Sequence, residues 1–84
     1  MDWDVIEIKL AGEFELFVRF NDGVKGNVKF LPSFFRGVFE HLRDQSKFGQ
    51  VMIVDGAVTW PGELDLAPDA MHDELKRNGE YLLF

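Results

Sequence analysis

The chain contains no cysteine. Disulfides, thiolate zinc sites, iron–sulfur clusters and a cysteine nucleophile are therefore excluded. No apolar run approaches the roughly 18 residues of a membrane helix, so a membrane is not expected as a partner. Histidine and serine are scarce, with His41, His72, Ser33 and Ser46 the full set. Basic residues are also short, nine Lys plus Arg against fifteen Asp plus Glu, for a formal net charge of −6. Phosphate binding needs clustered Lys and Arg, so nucleic acid is disfavoured as a partner.

What is present is apolar and aromatic. Of 84 residues, 46% are hydrophobic and nine are phenylalanine, which excludes intrinsic disorder. The length fits a single domain over residues 1–84, and its stability must rest on packed rings. The acidic start, Met1-Asp2-Trp3-Asp4, has no signal-peptide pattern. A cytoplasmic protein of bacterial style is expected. Residues 1–54 are nearly balanced in charge, whereas 55–75 hold Asp55, Glu63, Asp65, Asp69, Asp73 and Glu74 with no Lys or Arg. That segment carries the net charge.

Three stretches alternate with period two, the pattern of half-buried strands. They are Ile6, Ile8 and Leu10; Phe14, Leu16, Val18 and Phe20; and Val24, Val28 and Phe30. A three-residue loop, Asn21-Asp22-Gly23, pairs Phe20 with Val24, Leu16 with Val28 and Phe14 with Phe30, keeping apolar residues on one face. The same logic at Ala11-Gly12-Glu13 pairs Leu10 with Phe14 and Ile8 with Leu16. It sets Lys9, Glu15 and Lys29 side by side outside, with Val5 and Phe17 among the charges. Phe35, Phe39 and Leu42 share one helical face, which Gly37 breaks, and Phe48 closes the segment as a core anchor.

A second hairpin turns at Asp55-Gly56 and places Ile53 opposite Val58 and Val51 opposite Trp60. Apolar on both faces, it is expected to lie centrally or beneath a helix. Pro61-Gly62 ends it. Pro68 opens a last helix, Asp69 suits its first turn, Lys76 and Arg77 suit its last, and Asn78-Gly79 stops it. The tail, Glu80-Tyr81-Leu82-Leu83-Phe84, is too apolar for free solution and should dock on its own domain or on a partner. The expected fold is α+β. It has an antiparallel sheet of about five strands, a meander plus the later hairpin, with a short broken helix between them and a C-terminal helix.

Chemistry is sparse. His72 follows Asp69 by three residues, and His41 precedes Asp44 by three. Either pair has the composition of a general base or half a metal site, yet neither has the two-His helical spacing of zinc. An exposed helical His beside an acid is the commoner meaning. Neither serine lies in a G-x-S-x-G turn. The acidic set lacks the alternating oxygen ligands of a calcium loop. No catalytic residue, cofactor or metal is expected. The residues assigned to partner binding are Asp65, Asp69, Asp73 and Glu74, as an acidic docking surface, and the apolar Phe17 and Phe84.

An ordered series of short elements carries a family resemblance. Phe20-Asn21-Asp22-Gly23 is followed by Leu31-Pro32, Gly37-Val38-Phe39, Leu42-Arg43-Asp44, Phe48, Val51, Val58-x-Trp60-Pro61, Asp65 and Pro68. This resembles the small bacterial family known as domain of unknown function 2442, over roughly residues 4–76. Departures fall in turns and caps: Lys29-Phe30 before Leu31-Pro32, Gln45 after Leu42-Arg43-Asp44, and Gly62 after Trp60-Pro61. The resemblance implies a small α+β fold without an established activity, and for some relatives a place in toxin–antitoxin-like pairs. The function expected is a non-catalytic interaction or regulatory domain with a basic protein partner. A small-ligand sensory domain, with Trp60, Phe35, Phe39 and Phe48 lining a pocket, is the alternative. A third, an enzyme, would need His72 and Asp69 in one concave site. Homodimerisation through a strand edge or the Phe84 tail fits each.

Overall fold

The alternating stretches of the first thirty residues form strands β1 (Val5–Gly12), β2 (Glu15–Phe20) and β3 (Lys25–Phe30) in the computed structural model, which describes residues 3–84. Met1 and Asp2 of the acidic start lie outside the described residues. The β2–β3 register follows the hydrophobic pattern. Leu16 faces Val28, and the Phe20 and Phe30 N–H groups donate to the Val24 and Phe14 carbonyls.

The β1–β2 register differs from the expected one by two residues. Leu10 faces Leu16 and Ile8 faces Val18, because the turn is Glu13-Phe14 rather than Ala11-Gly12-Glu13. Phe14 adopts a left-handed backbone (φ 57°), unusual for a bulky residue. Its ring lies 4.8 Å from Phe35 and 5.4 Å from Phe48, and that packing offsets the strain. Lys9 therefore faces Phe17 rather than Glu15, and Glu15 faces Lys29. A register shift between Val5 and Glu7 turns Val5 into the core and Ile6 outward, correcting the expected placement of both.

Residues 31–48 form the broken helix. Two 3₁₀ segments, Pro32–Phe34 and Gly37–Arg43, precede α1 (Gln45–Phe48). Asp44 caps α1, accepting from the Ser46 N–H (3.0 Å) and hydroxyl (2.7 Å). Phe35, Leu42 and Phe48 are buried and Phe39 is half-buried. Phe30, Phe34, Phe35, Phe48 and Trp60 pack mainly edge to face. The Trp60 Nε1–H donates to the Phe48 carbonyl at 2.9 Å.

The later hairpin does not join the meander. Strands β4 (Met52–Val54) and β5 (Ala57–Trp60) pair as expected, with Ile53 facing Val58. Asp55 and Gly56 both have positive φ, the two-residue turn that matches strand twist. A two-residue strand, β6 (Leu64–Asp65), adds to β5, giving a separate three-stranded sheet of order β4-β5-β6. Helix α2 (Pro68–Asn78) begins and ends as the sequence predicts. The tail then becomes β7 (Glu80–Leu83), parallel to β3, so the first sheet is mixed and ordered β1-β2-β3-β7. The architecture is α+β with two sheets, not one antiparallel sheet of five strands. A hairpin that turns back on itself leaves the edge of β3 free, and the apolar tail takes it.

The first sheet has two unlike faces. Helix α2, the aromatic segment and the second sheet cover the inner one. Charges cover the outer one, with Glu7 bridging Arg19 (2.8 Å) and Lys9 (3.3 Å), and Lys29 bridging Glu80 (3.4 Å).

Candidate interaction surfaces

The acidic segment divides between two places. At one, Asp55 and Glu63 stand at the turns that flank β5, and Asp65 ends β6. They line one groove with Val54, Ala57, Thr59 and Pro68. None of these three carboxylates has an ion-pair partner among the described residues. Asp69 follows Pro68 in the first turn of α2, exposed, and accepts from the Ala70 N–H at 2.9 Å.

At the other place charge is partly balanced. Asp73 pairs with Arg77 at 2.7 Å, and Glu74 lies 3.7 Å from Arg77 and accepts from the Asn78 side chain at 2.8 Å. Glu74 and Phe84 meet in a groove with Asn78, Glu80, Tyr81 and Leu82. Of the residues assigned to partner binding, the structure therefore brings Glu74 and Phe84 together. Asp65 sits in the other groove. Phe17 stands apart, half-buried on the outer sheet face beneath the Lys9 ammonium at 6.0 Å.

Strand β4 departs most from expectation. Met52, Ile53 and Val54 are 40%, 37% and 43% exposed rather than covered. The cause is its position at an edge of a small sheet, with β1 alongside. The Val5 N–H donates to the Gly56 carbonyl at 2.9 Å. Ile6 and Leu10 on β1 are also exposed. Sequence reasoning missed this surface because a run apolar on both faces has the same signature in a central strand and in an exposed one.

The histidines also moved. His72 is 7% exposed, not solvated, and its Nε2 lies 2.7 Å from Asp22 Oδ2 in the β2–β3 loop. Its ring meets Phe20 edge-on at 5.0 Å and Trp3 at 6.3 Å. The carboxylate beside it is thus Asp22, some fifty residues away in sequence, and not Asp69. His41 is exposed, and Asp44 is engaged by Ser46 instead. No group of three or more His, Asp or Glu placed to hold a metal occurs among the described residues. Trp60, Phe35 and Phe48 are buried against one another, with Phe39 half-buried on Phe34 beside them.

The His72 contact holds the Asp22 carboxyl below the usual carboxylate range, helped by the Val24 N–H. A lowered folded value contributes stability above the ordinary carboxylate range, and that contribution is lost as pH falls through the lower value. The Asp22→Asn variant should be less stable at neutral pH and should lose less stability on acidification. Urea midpoints measured from pH 7 to pH 3 will test this, and identical pH profiles for the two proteins would refute it.

No helix among the described residues is long and apolar enough to cross a membrane. Comparison with curated proteins and with solved structures finds no match. One family model does match, described as "Protein of unknown function (DUF2442)", over residues 5–77. With nearly the whole chain aligned to it, the protein belongs to the family of domain of unknown function 2442.

Proposed function

We propose that this chain is a non-catalytic protein-interaction domain, a regulatory member of a two-protein pair, that receives a basic partner on its second sheet. The observation that carries this reading is the groove on the second sheet in which exposed Val54 lies among Asp55, Glu63 and Asp65, carboxylates with no ion-pair partner among the described residues, while Met52, also exposed, shares that face of edge strand β4. Adjacent apolar residues exposed together mark association surfaces more often than scattered ones do. Carboxylates at the rim steer a partner of opposite charge and fix its register.

The surface differs from the one the sequence suggested. Asp65 remains in it, with Asp69 beside it, whereas Asp73 and Glu74 face Arg77 on another part of α2. Asp55 and Glu63 replace them.

The test is co-purification with the product of the adjacent open reading frame. Reversal of charge at Asp55, Glu63 and Asp65 together should abolish retention, and the same change at Asp73 alone should leave it intact. Retention that survives the triple reversal rejects the reading. The circular dichroism of each variant confirms that the fold is kept.

A further inference from the structure

Two aspartate–glycine peptides stand in turns of this fold, Asp22-Gly23 and Asp55-Gly56. Such a pair carries its own electrophile, the side-chain carboxyl, and its own nucleophile, the following backbone nitrogen. Glycine has no Cβ, so nothing obstructs the approach of one to the other. The two pairs differ in how the fold holds them.

At Asp22-Gly23 every reacting group is engaged. Asp22 Oδ2 lies 2.7 Å from His72 Nε2, and Oδ1 accepts from the Val24 N–H at 3.1 Å. The Gly23 N–H donates to the Phe20 carbonyl at 3.0 Å. The related Asn78-Gly79 is held likewise, its side-chain amide donating to Glu74 at 2.8 Å and the Gly79 N–H to Leu75 at 2.9 Å. At Asp55-Gly56 no reacting group is engaged. Among the described residues the exposed Asp55 carboxylate has no hydrogen bond or ion pair, and neither the Asp55 carbonyl nor the Gly56 N–H is hydrogen-bonded.

The turn geometry offers a path for the reaction. Asp55 and Gly56 have φ of 51° and 78°, and Val54 faces Ala57, which together define a type I′ turn. Flipping the free peptide plane between them gives a type II′ turn, whose first central residue has ψ of about −120°. At that ψ the bond from the Asp55 carbonyl carbon to the Gly56 nitrogen eclipses Cα–Cβ, so the nitrogen comes over Cγ. The flip breaks no hydrogen bond of that plane. It places Asp55 in a strained region, so the conformation is a minor one and the reaction is slow.

We infer that Asp55-Gly56 is a site of spontaneous aspartate isomerisation in the folded protein, and that the fold protects Asp22-Gly23 from the same reaction. The Gly56 nitrogen attacks Cγ of the neutral Asp55 carboxyl. A C–N bond forms, a C–O bond breaks, and the N–H proton leaves with the hydroxyl as water. The cyclic imide takes up water at either carbonyl and reopens to aspartate or isoaspartate, with no net gain or loss of atoms or electrons. In isoaspartate the backbone runs through Cβ and Cγ. The two-residue turn then carries an extra methylene, the free carboxylate sits on Cα, and the pairing of Val54 with Ala57 is loosened. This inference stands whether or not the second sheet receives a partner.

The experiment incubates the full chain for weeks at about pH 5, where carboxyls begin to take up protons. The water is enriched in heavy oxygen, and a parallel sample contains denaturing guanidinium chloride. Electron-transfer fragmentation of the proteolytic peptides distinguishes isoaspartate from aspartate. In the native protein, isoaspartate and heavy oxygen should accumulate at residue 55 about tenfold or more faster than at residue 22, whose groups must first break their hydrogen bonds. In guanidinium chloride the two rates should converge. Equal native rates, or no native conversion at residue 55, overturn the inference. A preference for residue 55 that persists undiminished in denaturant also overturns it, because neighbouring sequence and not the fold would then select the site.

Discussion

Replacing Trp60 with alanine should destabilise the protein by about 3–5 kcal/mol, the range for deleting a large buried ring. At roughly 0.05–0.15 kcal/mol per residue, a chain of this length has a total stability of about 4–12 kcal/mol. The change therefore removes a large part of it, and most of it at the lower end. Trp60 is fully buried and touches Phe30 and Phe48, at ring separations of 5.8 Å each. Those two rings belong to β3 and α1, so Trp60 joins the second sheet to the first sheet and to the helical segment. The indole N–H also satisfies the Phe48 carbonyl. Trp60→Phe keeps much of the ring but removes one of the two donors to that carbonyl, which retains the Val51 N–H at 3.3 Å, at a cost of about 0.5–1.5 kcal/mol. Urea denaturation followed by far-ultraviolet circular dichroism should rank wild type above Trp60→Phe above Trp60→Ala. A Trp60→Ala protein with an unchanged midpoint would show that the two sheets stand independently.

Gly26→Ala is the second large effect, and it needs only one methyl group. A side chain at this position in β3 would lie 2.3 Å from the Gly79 carbonyl oxygen and 2.8 Å from Leu75 Cδ2. The first neighbour is backbone at the end of α2 and has no rotamer to move. Helix α2 must then retreat from the sheet, and overpacking of this kind costs about 1–3 kcal/mol or more. Gly12 is the control. A methyl there meets nothing nearer than 3.7 Å, and its φ is not in the left-handed region. Gly12→Ala should change stability by less than about 0.5 kcal/mol. If the two variants unfold at the same urea concentration, the close approach of β3 and α2 is not a determinant of stability.

Local signals were legible and distant ones were not. The β2–β3 register followed from Leu16, Phe20, Val24 and Val28, because a slip of one residue would expose all of them. The ends of α2 were fixed by Pro68, Asp69 and Asn78-Gly79, residues that act on their own turn of helix. The β1–β2 turn was misplaced because Phe14 is held by Phe35 and Phe48, contacts made after the chain has folded back. The same holds for His72. Its helix position was readable, but its burial depends on Asp22 and Phe20 from a loop and strand encoded half the chain earlier. Of the interaction surfaces, the charge was legible and the partition was not. Only the fold separates Asp55, Glu63 and Asp65 from Asp73 and Glu74. Nothing in the composition of Met52-Ile53-Val54 distinguishes an edge from a centre.

The parallel pairing of β3 with β7 has a kinetic consequence. Asn27 faces Glu80, so the pair closes a loop of about fifty residues. Closing such a loop costs about 3.5 kcal/mol of chain entropy in its length-dependent part, whereas the two hairpins of the meander close over a few residues. The meander is therefore placed to form first and the last strand to join late, after the intervening segment has collapsed onto its rings. During synthesis, β3 waits with one unpaired edge until residues 80–83 emerge. For that interval this edge is where a nascent chain is most exposed to mispairing.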